Sequence, residues 1–235
     1  MQHPIGEHAL LADCRTAALI DPDGNVAWLC WPWIDSTPVF FSILDEGRGG
    51  MFSLRPARPD AGVVSRRYHP RSLVLETVWQ IGSARLIVDD ALDLADGPLL
   101  IRSVRAEGDA VAVMVRLTAP SWPGTAAVVR VHDQSLELEG AARVVVHAPS
   151  GWTPAANRAT CEFTVDPGTP ATVTLGGAGV PAHAAAGVTS TLVEWRRTIP
   201  VLTAPERMPD TGDLLATTAA VLVGLHRRDG GIVAA

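Results

Sequence analysis

The stretch Asp13–Asp45, DCRTAALIDPDGNVAWLCWPWIDSTPVFFSILD, decides the fold of this 235-residue chain. A β-like pattern precedes Asp21 and resumes at Asn25, and the residues between them, DPDG, have turn chemistry because Pro presets φ and Gly tolerates positive φ. The stretch therefore predicts a β-hairpin. Its second strand ends at Cys30, and we expect one or two helical turns over the apolar residues 39–44.

Between these elements lies the loop WPWIDSTP, residues 31–38. Its two prolines exclude both a helix and a central strand, so large aromatic rings sit on a stiff, irregular segment. Such a loop covers a hydrophobic edge, faces a ligand, or faces another domain. Trp31, Trp33 and Asp35 are therefore the candidate substrate-binding residues.

From residue 51 to residue 175 the hydrophobic period is two. Residues 73–80 and 111–118 alternate most regularly, and shorter runs separated by Gly, Pro or Asp follow at 85–88, 99–104, 127–131, 136–139, 143–148, 160–165 and 171–175. Many short strands at this spacing predict an antiparallel β-sandwich, so the fold class is mainly β.

Near the C-terminus the hydrophobic period changes from two to the spacing of a helix. Residues 189–199 have helical spacing, with Pro200 as a stop, and a Pro-rich segment covers 201–209. A second helix, capped by Asp210 or Thr211, is expected over 212–228, with Arg227 and Arg228 in its last turn. It is apolar on almost every side, so it should be buried all round or drive self-association. It is too short to span a bilayer, which needs about 20 residues.

The motifs DCRTAAL, the DG turn, WLCWP and the following DS-P-F stretch resemble the opening of bacterial glycoside hydrolase family 15 proteins, the glucoamylase-like and trehalase-like enzymes. The likeness continues in the segment from Tyr68 to Thr77, in residues 193–197 and in the terminal GGIVAA. The chain departs from the family at three positions: Trp33 stands where Arg is usual, Ile34 where Phe is usual, and Ala27 where Asp is frequent.

The resemblance implies an antiparallel β-supersandwich over 1–182, a linker helix and Pro-rich linker over 183–209, and over 210–235 the first helix of a truncated (α/α)6 catalytic barrel. In the family the two catalytic glutamates lie beyond the position of Ala235, so this chain is expected to be a non-catalytic accessory domain. The barrel that it packs against would belong to the same or a separate chain. The implied activity of the parent is inverting hydrolysis of α-glucosides such as trehalose or maltooligosaccharides.

Other chemistry has weaker support in the sequence. Asp89, Asp90 and Asp93 form the densest acidic cluster, and we expect them at a strand end in a solvated loop, with the first two on opposite faces. The segment from Gly177 to Ala182 fits G-x-G-x-x-A, but a dinucleotide site needs a βαβ unit. The histidine spacings give no metal motif, and we expect no cofactor. The three cysteines are expected to be small buried hydrophobes without a disulfide framework.

The composition and the N-terminal sequence exclude some classes of binding partner. The net charge is −6, and every basic side chain is Arg. No basic stripe is visible, so we expect no nucleic-acid partner. The N-terminus has neither the basic start nor the apolar run of a signal peptide, which predicts a cytoplasmic protein without a membrane partner.

The seven Trp residues support an alternative function. Trp31, Trp33, Trp122 and Trp152 lie beside prolines and are expected to be exposed, whereas Trp28 and Trp79 are expected in the core and Trp195 on a helix. Exposed aromatic rings on a sandwich could bind α-glucosides, which would make the chain a stand-alone carbohydrate-binding module. The competing interpretation is that they form the contact to a barrel domain.

Overall fold

The computed structural model describes residues 3–94, 98–122, 125–177, 187–202, 212–227 and 230–232, with the backbone alone at 122, 125 and 126. It contains a short 3₁₀ turn (Ile5–Glu7), eighteen strands and two helices. The strands are β1 (Ala9–Ala12), β2 (Ala17–Ile20), β3 (Asn25–Cys30), β4 (Pro38–Phe40), β5 (Met51–Pro56), β6 (Gly62–Tyr68), β7 (Leu75–Ile81), β8 (Ala84–Leu92), β9 (Leu99–Glu107), β10 (Val111–Thr118), β11 (Ser121–Trp122), β12 (Thr125–Ala126), β13 (Val128–His132), β14 (Ser135–Glu139), β15 (Arg143–His147), β16 (Thr153–Ala155), β17 (Arg158–Val165) and β18 (Ala171–Gly177); the helices are α1 (Val188–Thr198) and α2 (Gly212–Gly224).

The strands form two large antiparallel sheets that pack face to face, which confirms the predicted sandwich. The first sheet has the order β1-β2-β3-β5-β10-β17-β16, with β4 paired to β3, and the second has the order β13-β14-β15-β18-β9-β8-β7-β6. A separate two-stranded ribbon joins β11 to β12. The period of two follows from this arrangement, since alternate side chains of β10 are buried between the sheets.

The predicted hairpin at 21–24 is present between β2 and β3. Asp21 Oδ1 accepts hydrogen bonds from the backbone N–H groups of Asp23 and Asn25, at 2.9 and 2.8 Å. Gly24 has φ 76°, and a Cβ at this position would lie 2.9 Å from the carbonyl oxygen of Leu54. Both the positive φ and the close approach therefore require glycine.

A buried ion pair connects this hairpin to the second sheet. Arg102 on β9 is fully buried, and its Nε donates to Asp90 Oδ1 of β8 at 2.7 Å. Its Nη2 donates to the carbonyl of Gly24 at 2.8 Å, and its guanidinium lies 5.3 Å from the ring centroid of Phe52. The charge of Arg102 is thus compensated within the sandwich, as burial demands.

Helix α1 packs on the outer face of the second sheet, against β8 and β9, and α2 packs beside it against β1 of the first sheet. There they form a second apolar cluster with Leu73, Ala91 and Ile101 of the sandwich, and fully buried Trp195 of α1 is its largest side chain. The Thr191 hydroxyl donates to Asp93 Oδ1 at 2.9 Å, which fixes α1 over the end of β8. The prediction of a helix at 189–199 is confirmed within one residue.

Three expectations about local structure were wrong. Residues 39–44 form the end of β4 and a set of turns rather than helical turns, because β4 pairs with β3. Helix α2 ends at Gly224, so Arg227 lies beyond its last turn. Trp28 is half-buried on the outward side of β3 rather than in the core.

The remaining expectations have mixed outcomes. Cys30 and Cys161 are buried as expected, whereas Cys14 is half-buried. The G-x-G-x-x-A segment lies outside the described residues beyond Gly177. Within the described ranges, no helix is long and apolar enough to cross a membrane.

Candidate functional site

The loop at 31–36 places its two tryptophans in opposite environments. Trp31 is 4% exposed and packs in the main core, so the expectation that it lies on the surface was wrong. Trp33 is 46% exposed, as expected. Trp152 is 6% exposed and also belongs to the core, while the side chain of Trp122 lies outside the described part of the chain. Only one of the three described loop tryptophans therefore presents its ring to solvent.

Backbone hydrogen bonds hold the loop against the first sheet. The N–H of Ile34 donates to the carbonyl of Arg15 at 2.8 Å, on the segment between β1 and β2. The N–H of Ser36 donates to the carbonyl of Trp33 at 3.0 Å, and the Ser36 hydroxyl accepts from the N–H of Trp33 at 3.2 Å. These reciprocal bonds form a tight turn, so Trp33 has a defined position despite its exposure.

Asp35 and Trp33 both contact Arg227, which follows α2. Arg227 Nη1 donates to Asp35 Oδ2 at 3.0 Å, and the guanidinium carbon lies 5.9 Å from the Trp33 ring centroid. That distance lies within the range of a cation–π contact. The carboxylate and the ring thus hold one cation, and the loop borders the C-terminal end of α2.

Helix α2 has two apolar faces that differ in side-chain size. Ala216, Ala220 and Gly224 are buried, whereas Leu214, Leu215 and Leu222 are 66%, 38% and 58% exposed. The helix is therefore not buried all round within this chain, and the expectation that its uncovered side drives self-association stays a prediction. Its small-residue face allows the helix to approach the sandwich closely, and its leucine face points to solvent.

Gly224 is the closest point of that approach. A Cβ built on Gly224 would lie 2.9 Å from the Ala12 Cβ, 3.0 Å from Leu73 Cδ1 and 3.3 Å from the Trp195 ring. The carbonyl of Gly224 also accepts a hydrogen bond from the N–H of Cys14 at 2.9 Å. Together with Trp33, Asp35 and Arg227, the exposed leucines form what we call the Trp33–α2 surface (Trp33, Asp35, Leu214, Leu215, Leu222 and Arg227).

The acidic cluster at 89–93 is buried rather than solvated. Asp89, Asp90 and Asp93 are 6%, 1% and 6% exposed. The prediction that the first two point to opposite faces is confirmed, because Asp90 faces Arg102 inside the sandwich and Asp89 faces outward to His69. Glycoside hydrolysis needs two carboxyl groups about 5–9.5 Å apart around one sugar, and Asp89 and Asp90 lie on opposite sides of a sheet. Asp35 pairs with Arg227 instead of joining them.

On the outer face of the second sheet, the possible metal-binding atoms of His69, Glu76 and Asp89 lie within 4.8 Å of one another. No spacing in the sequence indicates this group, because only the antiparallel register of β7 and β8 brings Glu76 opposite Asp89. Their carboxylates are already neutralised: Arg105 donates to Glu76 Oε2 at 3.0 Å and also to Asp89, and Arg67 donates to Glu76 Oε1 at 2.9 Å. Because two guanidiniums hold these oxygens, the group is an ion-pair network that joins β6, β7, β8 and β9.

The buried thiol of Cys30 has no feature of a nucleophile. Burial raises its pKa to about 11, despite a hydrogen bond from Trp28 that acts in the opposite direction. A reactive cysteine needs a lowered pKa, so Cys30 is a small hydrophobic residue of the core.

Comparison with known proteins gives a consistent set of relatives. The sequence profile of the family described as "Trehalase-like, N-terminal" matches residues 1–173. The trehalase of Mycolicibacterium smegmatis is 48% identical over 89 residues, which are 38% of this chain and 13% of that protein. The trehalase of Mycobacterium tuberculosis is 48% identical over 92 residues, also 38% of this chain and 13% of the relative. Trehalase 2 of Sulfolobus acidocaldarius is 37% identical over 100 residues, 43% of this chain and 16% of the relative.

The matched part is thus a small fraction of each relative. The sandwich formed by β1–β18 coincides with the region of the family match, apart from the last residues of β18. With this fold and a match over nearly three quarters of its length, the chain belongs to the trehalase-like N-terminal domain family.

Proposed function

We propose that the chain is a non-catalytic accessory domain of a family 15 glycosidase of the trehalase type, and that it packs against the catalytic (α/α)6 barrel domain through the Trp33–α2 surface. The observation that carries this proposal is the leucine face of α2, which remains exposed although the opposite face is closely packed. Exposed apolar groups of this kind mark interaction sites. Burial gains about 25 cal/mol per Å² of apolar surface, so a matching domain would stabilise α2.

The catalytic domain is the favoured occupant because the matched stretch is only 13% of the mycobacterial relatives. The parent activity proposed by resemblance is inverting hydrolysis of α-glucosides, either trehalose or maltooligosaccharides, by glutamates that lie outside this domain. In this role the sandwich supports the barrel and takes no part in bond cleavage. The cytoplasmic location and the absence of a nucleic-acid partner stay predictions from the sequence, as does the assignment of 210–235 to the barrel.

The test compares one leucine substitution in two settings. In the isolated chain, Leu222→Ser should change the free energy of unfolding by less than about 0.5 kcal/mol, because Leu222 is already exposed. In a chimera where this chain replaces the homologous segment of the Mycolicibacterium smegmatis trehalase, the same change should cost about 1.5–3 kcal/mol, the value of burying a leucine. Trehalose hydrolysis by the chimera reports whether the docked barrel is active.

Val128→Ser is the matched control, since Val128 is 47% exposed on β13, the edge strand of the second sheet, whereas α2 contacts β1 of the first sheet. It should behave alike in both settings. Equal effects of Leu222→Ser in the isolated chain and in the chimera would refute docking through this face.

Sedimentation of the isolated chain tests the other occupant, a second copy: a dimer abolished by Leu222→Ser would favour self-association through α2. Trehalose hydrolysis by the isolated chain would contradict the non-catalytic role.

A further inference from the structure

Trp28 lies on the side of the first sheet that faces away from the core. It pairs with Leu19 of β2, and both side chains are half-buried. Apart from its indole N–H, the Trp28 side chain is apolar, so it presents mainly an apolar ring to a ligand.

The ring lines a cavity of about 440 Å³, together with Leu19, Ile5, Ile43 and Leu44. His3 and Ile43 also line a neighbouring cavity of about 190 Å³, so the two are adjacent. Small-molecule sites have volumes of about 300–1,000 Å³, and these cavities together lie in that range. An apolar cavity lined by an aromatic ring thus lies next to a smaller, polar cavity.

The smaller cavity is lined by carboxylate, amide and hydroxyl groups from Asp21, Asp23, Asn25, Ser42, Glu46 and Thr118. No arginine is among the described residues that line it. Three carboxylates, from Asp21, Asp23 and Glu46, face two imidazoles, from His3 and His8, so the lining is predominantly acidic and disfavours an anionic ligand. A metal ion is also disfavoured, because in the described ranges the convergent ligand group is the one at His69.

The oxygens of Asp21 are largely committed to the hairpin, where Oδ2 accepts from Asn25 Nδ2 at 2.7 Å. Asp23 is more available: its Oδ2 contacts His3 Nε2 at 2.9 Å, and its side chain is 58% exposed. Carboxylate oxygens accept hydrogen bonds from hydroxyl groups, and an aromatic face packs against apolar C–H groups. A neutral ligand with a ring of hydroxyls and an apolar face would satisfy both compartments.

We propose that this double cavity binds a neutral saccharide, with one sugar ring against Trp28 and the hydroxyls of the adjoining unit directed at Asp23 and its neighbours. The site is separate from the Trp33–α2 surface, and its existence does not depend on docking of a catalytic domain. It also differs from the loop tryptophans expected from the sequence, because Trp31 and Trp152 are buried.

The test uses the whole chain labelled with 5-fluorotryptophan, with resonances assigned by Trp28→Phe and Trp33→Phe. Titration with trehalose and with maltoheptaose should shift the ¹⁹F resonance of Trp28 in a saturable manner and leave that of Trp33 unchanged. Glucose 6-phosphate should bind more weakly than glucose because of the carboxylates. Trp28→Ala should weaken binding at least about tenfold, as expected for an aromatic anchor.

Asp23→Asn provides a second variant that keeps Trp28 and its packing. It should weaken saccharide binding measurably, while Asp60→Asn, an exposed carboxylate paired with Arg58, should not. Three outcomes would overturn the proposal: an unchanged Trp28 resonance at saturating sugar, a shift of Trp33 instead, or a response to Ca²⁺ alone. Failure of the chimera experiment would leave this result unaffected, so the two proposals are tested separately.

Discussion

Arg227 donates a hydrogen bond to Asp35 across 192 residues of sequence, with Nη1 and Oδ2 3.0 Å apart. The contact joins the segment after α2 to the proline-rich loop after β3. It places one guanidinium between a carboxylate and the Trp33 ring. The two parts of the Trp33–α2 surface are therefore connected by an ion pair in addition to the packing under α2.

Asp35→Asn should have little effect on global stability. Asp35 is 66% exposed, and exposed ion pairs contribute about 0–1 kcal/mol. Hydrogen exchange at residues 33–36 should nevertheless become faster, because the loop loses its link to Arg227. Asp45→Asn, which removes the exposed pair with Arg48, is the control and should leave exchange at 33–36 unchanged. A larger stability loss for Asp35→Asn than for this control would contradict the prediction.

Arg102→Leu should destabilise the sandwich by about 3–5 kcal/mol, because it leaves the carboxylate of Asp90 buried without its partner. Urea denaturation measures the change. The double variant Arg102→Leu, Asp90→Leu should be more stable than the single variant, since no uncompensated charge remains. If the double variant is the less stable of the two, the cost comes from lost packing around Phe52 and not from the charge.

Gly224→Ala should destabilise the docking of α2. In an exposed helix this change gains about 1 kcal/mol from helix propensity. Here the new Cβ would lie 2.9 Å from Ala12 Cβ and 3.0 Å from Leu73 Cδ1, so the helix must move outward. Exchange at 212–224 should become faster, while Thr218→Ala on the exposed side should slow it or leave it unchanged. Slower hydrogen exchange at 212–224 in Gly224→Ala would contradict the prediction, because it would show that the sandwich leaves room for a Cβ at this position.

The His3–Asp23 pair predicts a pH dependence of the N-terminal segment. The hydrogen bond to Asp23 raises the pKa of His3 above its ordinary value of 6.5. The stabilisation of the folded state by the His3–Asp23 pair is therefore fully present below pH 6.5, and it is lost as the pH rises through the raised pKa of His3. NMR titration of the His3 ring measures the shift, and Asp23→Asn should return the pKa towards 6.5. An unchanged His3 pKa in that variant would assign the shift to other groups.

Local chemistry was enough to predict the hairpin at 21–24 and most of the strands. Proline, glycine and the period of two act within a few residues, so they are visible in the sequence. The buried state of Asp89, Asp90 and Asp93 was not predictable in this way. Strand pairing and helix packing bring them to their partners His69, Arg102 and Thr191. No spacing within the local sequence predicts these contacts.

The burial of Trp31 and the sidedness of α2 have a similar physical origin. Trp31 and Trp33 are two residues apart in one proline-rich loop, and only tertiary packing decides which ring turns inward. The sequence of α2 is apolar on almost every side because alanine, glycine and leucine are all apolar. Its sidedness comes from size, since small residues pack on the sandwich and leucines do not.

The close fit at Gly224 also limits how the exposed surface can adapt. There is no room for a methyl group between Gly224 and the sandwich, so a rotation of α2 that turned a larger side chain towards Ala12 would produce a clash. The leucines on its outer side and the Trp33 ring are held to the same sandwich by the contact at Gly224 and by the ion pair of Arg227 with Asp35. A partner that touches both must match their spacing as it stands, so selectivity for that partner would come from shape that is set before the two molecules meet.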